Sequence, residues 1–146
     1  MKLLVINGPN LNMLGIREPE IYGQLTYQDL CTFIKNVAIE NSIDVEIKQS
    51  NHEGVIVDYI QQAYQVYDGI IINPAAYTHT SIAILDALKS VNLPCIEVHL
   101  SNIYEREPFR HTSYAGKACF KSYYGEGILG YEKAIYDMLE LNNKTN

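Results

Sequence analysis

Leu3-Leu4-Val5-Ile6-Asn7-Gly8-Pro9-Asn10-Leu11-Asn12 opens the chain with four apolar residues in a row and ends them in a polar loop. An unbroken apolar run reads as a strand buried on both faces, the pattern of a parallel sheet covered by helices. The same plan recurs twice. Gly69-Ile70-Ile71-Ile72 runs into Asn73-Pro74-Ala75-Ala76-Tyr77-Thr78-His79-Thr80-Ser81. Pro94-Cys95-Ile96-Glu97-Val98-His99 runs into Leu100-Ser101-Asn102 and on to Arg106 and Arg110. The carboxyl ends of strands in an open parallel sheet share one edge, where ligands bind. If these strands are neighbours, their polar ends converge on one pocket, and an enzyme is the first hypothesis.

Between the apolar runs the periodicity turns helical. Thr26-Tyr27-Gln28-Asp29 has the form of a helix N-cap with an acid in the first turn, and Leu30, Phe33, Ile34, Val37 and Ala38 follow at helical spacing. Ile43, Val45 and Ile47 alternate as in a strand, and Ile56, Tyr59, Ile60, Ala63 and Tyr64 make a second helix face. A third helix is expected over about 80–90, with Thr78 or Thr80 as its cap, and a weaker fifth strand over about 118–123. A last helix over about 130–141 precedes a polar, frayed tail at 142–146. Strands alternating with helices of this length imply right-handed crossovers and hence an α/β fold. Five strands suit a flavodoxin-like three-layer sandwich with parallel order 2-1-3-4-5, in one catalytic domain spanning 1–146. The loop over 8–25 is long for a strand-to-helix connection, as functional lids and disordered segments are.

Composition narrows the function. At 146 residues and 47% hydrophobic, the chain fits one globular domain without a membrane-spanning segment. Its net charge of -6 argues against a nucleic-acid partner. The first residues pass directly into a strand, with no cleavage site of a signal peptide. Cys31, Cys95 and Cys119 are widely spaced in apolar contexts and read as reduced packing residues of a cytoplasmic protein. No Walker loop, no Gly-x-Gly-x-x-Gly after the first strand, no zinc spacing and no Gly-x-Ser-x-Gly elbow is present. Proton transfer without metal or cofactor remains.

Several residues suit that chemistry. Glu97 and His99 lie two apart in a strand and so point the same way. A carboxylate facing an imidazole orients its tautomer and favours its protonated form, as a general acid requires; the alternative is a neutral histidine tucked beneath a loop. Arg17 and Tyr22 share the long loop. Tyrosine ionises near pH ~10, and a nearby guanidinium lowers that value, so the pair is either a base assembled when a lid closes or a surface arginine beside an anchoring tyrosine. His79 falls where the third helix is expected to begin, near N–H groups that attract anions. Arg106 and Arg110 either clamp a carboxylate or are neutralised by Glu105 and Glu107. Asp86, among apolar residues of the third helix, is either an arginine's partner or an interface residue.

Five ordered segments resemble type II 3-dehydroquinate dehydratase: residues 6–12, 14–23, 49–54, 73–81, and 96–111 with its Glu97-Val98-His99-Leu100-Ser101-Asn102 and Arg106-Glu107-Pro108-Phe109-Arg110-His111. The resemblance implies a flavodoxin-like subunit, usually in a dodecamer built as a tetramer of trimers. It implies reversible anti elimination of water from 3-dehydroquinate through an enolate, with no Schiff base, metal or other cofactor. Carried over by position, Tyr22 is the base, kept ionised by Arg17, and His99 is the acid, oriented by Glu97. Asn10 holds the water that stabilises the enolate. Asn73, His79, Leu100, Ser101 and Arg110 bind substrate, and Asp86 reaches the site from a neighbouring subunit. The chain departs from the family at Leu85, where many members carry arginine. It departs again over 119–124, which is bulkier and more polar than the family's usual small, apolar strand.

Overall fold

The computed structural model describes residues 1–16, 20 and 23–146. Five strands form one sheet: β1 (Lys2–Asn7), β2 (Asp44–Gln49), β3 (Gly69–Asn73), β4 (Cys95–His99) and β5 (Lys121–Tyr124). Their order is β2-β1-β3-β4-β5, and every neighbouring pair is parallel. Four helices connect and cover them: α1 (Tyr27–Glu40), α2 (Glu53–Gln62), α3 (Ile82–Val91) and α4 (Leu129–Thr145). This is the three-layer α/β arrangement expected from the apolar runs.

Period-two alternation divides the core. Leu3 and Val5 of β1, Ile71 of β3, and Ile96 and Val98 of β4 face α1 and α4. Leu4, Ile6, Ile70, Ile72 and Cys95 face α2 and α3. The residues of β1, β3 and β4 between Leu3 and His99 are buried throughout, so the central strands need apolar side chains on both faces. β2 and β5 are half-exposed edges. Among the described residues no helix is long and apolar enough to cross a membrane.

Local chemistry sets the helix starts. At α1, where an N-cap with an acid in the first turn was expected, the Asp29 N–H donates to Thr26 Oγ1 (3.0 Å) while the Thr26 N–H donates to Asp29 Oδ2 (3.1 Å), so the capping is reciprocal. At α3 the expectation fails. Ser81, not Thr78 or Thr80, caps the helix by accepting the Ile84 N–H at 2.9 Å. Residues Ala75–His79 form a 3-10 turn instead, because the Thr78 hydroxyl is drawn away to the buried Glu97 carboxylate. β5 starts later than expected: Ala115–Ala118 is another 3-10 turn, and the strand forms once the Phe120 N–H has reached the Cys95 carbonyl. α4 runs to Thr145, past the expected end near 141, with Lys144 paired to Glu140 one turn back. All three cysteines are free thiols, and Cys95 and Cys119 touch at 3.0 Å between sulfurs.

Candidate active site

The loops after β1, β3 and β4 enclose one cleft at the carboxyl edge of the sheet. Its walls are Pro9, Asn10, Leu11, Met13 and Leu14 from the first loop, and Asn73, Ala75, Ala76 and His79 from the second. His99, Leu100, Ser101, Ile103, Arg106 and Arg110 come from the third. The polar clusters therefore do converge, where the strand order reverses between β1 and β3. Close backbone approach allows it. The Gly8 N–H donates to the Asn73 carbonyl at 2.7 Å, and a Cβ on Gly8 would penetrate the Pro74 carbonyl. The first loop is tied on its other side to the end of β2: the Asn10 N–H donates to Asn51 Oδ1 (3.0 Å), and Gln49 Nε2 donates to the Gly8 carbonyl (3.2 Å).

The strongest electrostatic feature is the Glu97–His99 pair. Both side chains leave β4 on the same face, Glu97 fully buried and His99 almost so. His99 Nε2 meets Glu97 Oε2 at 2.8 Å, which leaves Nδ1 as the ring nitrogen available to a ligand in the cleft. Thr78 Oγ1 donates to the same carboxylate oxygen at 2.8 Å, and the Ser113 hydroxyl also donates to it. Burial works to raise the Glu97 carboxyl, but the hydrogen bond and charge of His99, with the Ser113 and Thr78 hydroxyls, outweigh it and pull the pKa down to about 2. The anion at Glu97 is thus held ready beneath the imidazole.

His79 occupies the end of the 3-10 turn rather than a helix start, so the helix N-terminal anion site expected there is not formed by it. Its Nδ1 lies 2.8 Å from the Thr112 carbonyl. Burial, and the positive neighbours His99 and Arg110, depress its pKa against the opposing pull of that carbonyl. A neutral ring donating from Nδ1 presents Nε2 as an acceptor. Asn73 is buried in the cleft floor: its Oδ1 accepts the Ala75 N–H (3.1 Å), and its Nδ2 donates to the Tyr131 hydroxyl (3.1 Å). Tyr131 in turn donates to Asn7 Oδ1 at 2.7 Å, so a fully buried tyrosine of α4 ties together the ends of β1 and β3.

Arg110 Nε contacts Glu107 Oε2 at 3.0 Å, and Arg106 Nε lies 4.0 Å from Glu107 Oε1. The two arginines line the cleft and both lean on the exposed Glu107. Asp86 is exposed on α3 and is not among the cleft walls of its own chain. Leu85 beside it is buried. Arg17 and Tyr22 lie outside the described residues.

The partners of Glu97 on β5 escaped the sequence reading. Ser122 and Tyr124 both donate their hydroxyls to it, and the bulk and polarity of 119–124 did not by themselves point to Glu97. Only the register of β5 against β4 brings them there.

Fold and cleft together define a doubly wound α/β protein with a buried acid pair and cationic walls at its topological switch point. The chain belongs to the dehydroquinase class II family, whose model matches residues 1–139. It is 54% identical to the 3-dehydroquinate dehydratase of Clostridium acetobutylicum, over 99% of this chain and 100% of that one. It is 52% identical to the 3-dehydroquinate dehydratase of Fusobacterium nucleatum, again over 99% and 100%. Among solved structures, the type II dehydroquinase of Butyrivibrio crossotus superposes with a TM-score of 0.93 at 54% identity, covering 94% of this chain and 97% of that one.

Proposed function

We propose that this chain is a 3-dehydroquinate dehydratase of the shikimate pathway, catalysing reversible anti elimination of water from 3-dehydroquinate to 3-dehydroshikimate. The observation that carries the reading is the buried His99–Glu97 pair, 2.8 Å apart, set in a cleft that Arg106 and Arg110 also line. Family membership supplies the substrate class.

In this reading Tyr22, with its phenolate stabilised by Arg17, takes the proton from the carbon next to the ketone. The electrons move to the ketone oxygen as an enolate, which a water held by Asn10 stabilises. Collapse of the enolate expels the hydroxyl, and the protonated His99 gives it a proton from Nδ1, so the leaving group departs as water. Glu97 stabilises the imidazolium that precedes this step and fixes which nitrogen faces the substrate. No Schiff base or metal enters the sequence of steps.

Binding follows from the walls. The substrate carboxylate exchanges with Glu107 at Arg110, an exchange favoured because an exposed ion pair contributes only ~0–1 kcal/mol. Asn73, the acceptor nitrogen of His79, and the Leu100–Ser101 turn bind the ring hydroxyls and carboxylate. Asp86 contributes from a second subunit of a dodecamer, a tetramer of trimers.

The test is the rise of enone absorbance when purified protein meets 3-dehydroquinate, undiminished by chelator or borohydride; no turnover removes the proposal. Tyr22→Phe should bind substrate yet lose about 10²-fold or more in kcat. A fully active variant would sink the assignment of the base.

A further inference from the structure

Glu97 is served by more donors than an acid pair requires. His99, Thr78 and Ser113 use Oε2. The other oxygen, Oε1, receives the Tyr124 hydroxyl at 2.9 Å and the Ser122 hydroxyl at 2.9 Å. These two come from β5, whose register sets Ser122 against Glu97 and Tyr124 against His99. The Tyr124 ring also stacks on the His99 ring, with centroids 5.6 Å apart and planes at 12°. Behind it stands Tyr104, edge-on at 5.2 Å and 77°. On the remaining side the wall is bare backbone: a Cβ on Gly116 would sit 2.7 Å from Oε1.

We propose that Tyr124, assisted by Ser122, is a positioning residue that locks both members of the Glu97–His99 pair through a hydroxyl on the carboxylate and a ring on the imidazole. The inference rests on the dehydratase reading for its kinetic consequence, though not for its geometry. A carboxylate with one oxygen unheld can turn about its terminal torsion, which is broad and soft. Such a turn would swing Oε2 away from Nε2 and release the imidazole to rotate. With Oε1 pinned from β5 and Oε2 from the loops, the torsion has one setting. Stacking removes the ring's other freedom, its tilt. Burial and the adjacent Glu97 charge, against a lowering bond from Ser122, keep the Tyr124 phenol protonated well above the usual tyrosine range, so it stays a donor. Tyr124 is not a wall of the cleft and acts only through the pair.

Tyr124→Phe keeps the ring and removes only the hydroxyl, so it should fold. With 3-dehydroquinate its kcat should fall roughly tenfold, the scale of a lost hydrogen bond to a charged group, with KM within about twofold of the parent. Ser122→Ala should act in the same direction, and the double variant should lose more than either. Independently of turnover, the downfield proton resonance of the His99–Glu97 hydrogen bond should move or broaden in Tyr124→Phe, since the ring current is unchanged. An unchanged resonance together with parent kcat overturns the proposal, as does a variant altered only in KM or melting temperature. If the parent itself fails to turn over 3-dehydroquinate while the resonance still moves, the dehydratase reading falls and the lock stands.

Discussion

Glu97 concentrates more of the site's physics than any other described residue. Fully buried and bonded to five neighbours, it keeps its charge where burial alone would remove it. Its carboxyl ionises near 2 in the folded protein against an ordinary value of 4.5. Because the folded value is the lower one, the resulting stabilisation is fully present above the ordinary value and disappears as pH falls through the folded one. The size is on the order of 3 kcal/mol. Urea midpoints should therefore fall as pH drops from about 4.5 to about 2, and Glu97→Gln should remove that part of the slope. A variant with the parent's slope would show that other carboxylates dominate acid unfolding. The direction in which Glu97 and His99 point was legible from their spacing of two. That one oxygen would be held from β5 was not, because Ser122 and Tyr124 meet it only through strand pairing.

At the scale of elements, β1 and β3 are the frame on which the cleft is hung. Their apolar runs declared themselves in the sequence, and the observed bounds Lys2–Asn7 and Gly69–Asn73 enclose them. Helix α1 was legible through its cap, since Thr26 and Asp29 satisfy each other without outside help. Helix α3 was misplaced at its start for the opposite reason. Thr78 has a cap's chemistry, but Glu97, nineteen residues away, offers its hydroxyl a buried charged partner. Local patterning cannot see such competition. Joining β1 to β3 depends on Gly8, whose lack of a Cβ lets one loop rest on the other. Gly8→Ala should lower stability by about 1–3 kcal/mol, as overpacking against backbone does, and should lower activity with it. An unchanged melting temperature would argue against that close approach.

Across the whole molecule, the cleft of one chain gathers eight of the residues singled out beforehand: Asn10, Asn73, His79, His99, Leu100, Ser101, Arg106 and Arg110. Asp86 is not with them, since it lies exposed on α3. A role for it in binding substrate thus requires a second subunit, as the proposed dodecamer would provide. Size-exclusion with light scattering should return roughly 200 kDa for twelve copies of a 16.6 kDa chain. A monomer with full activity would remove both the assembly and the part assigned to Asp86.

By itself the sequence determined the alternation of strands and helices, the two-faced burial of the central strands, and the three polar strand ends. Each of these depends on neighbours within about one helical turn or one strand, so spacing and side-chain type suffice. The convergence of those ends, the exchange of helix caps at Thr78 and Ser81, and the five-fold satisfaction of Glu97 were decided only by the tertiary structure. These arise where strands far apart in sequence come into register, and a buried charge then selects among whatever donors that register delivers.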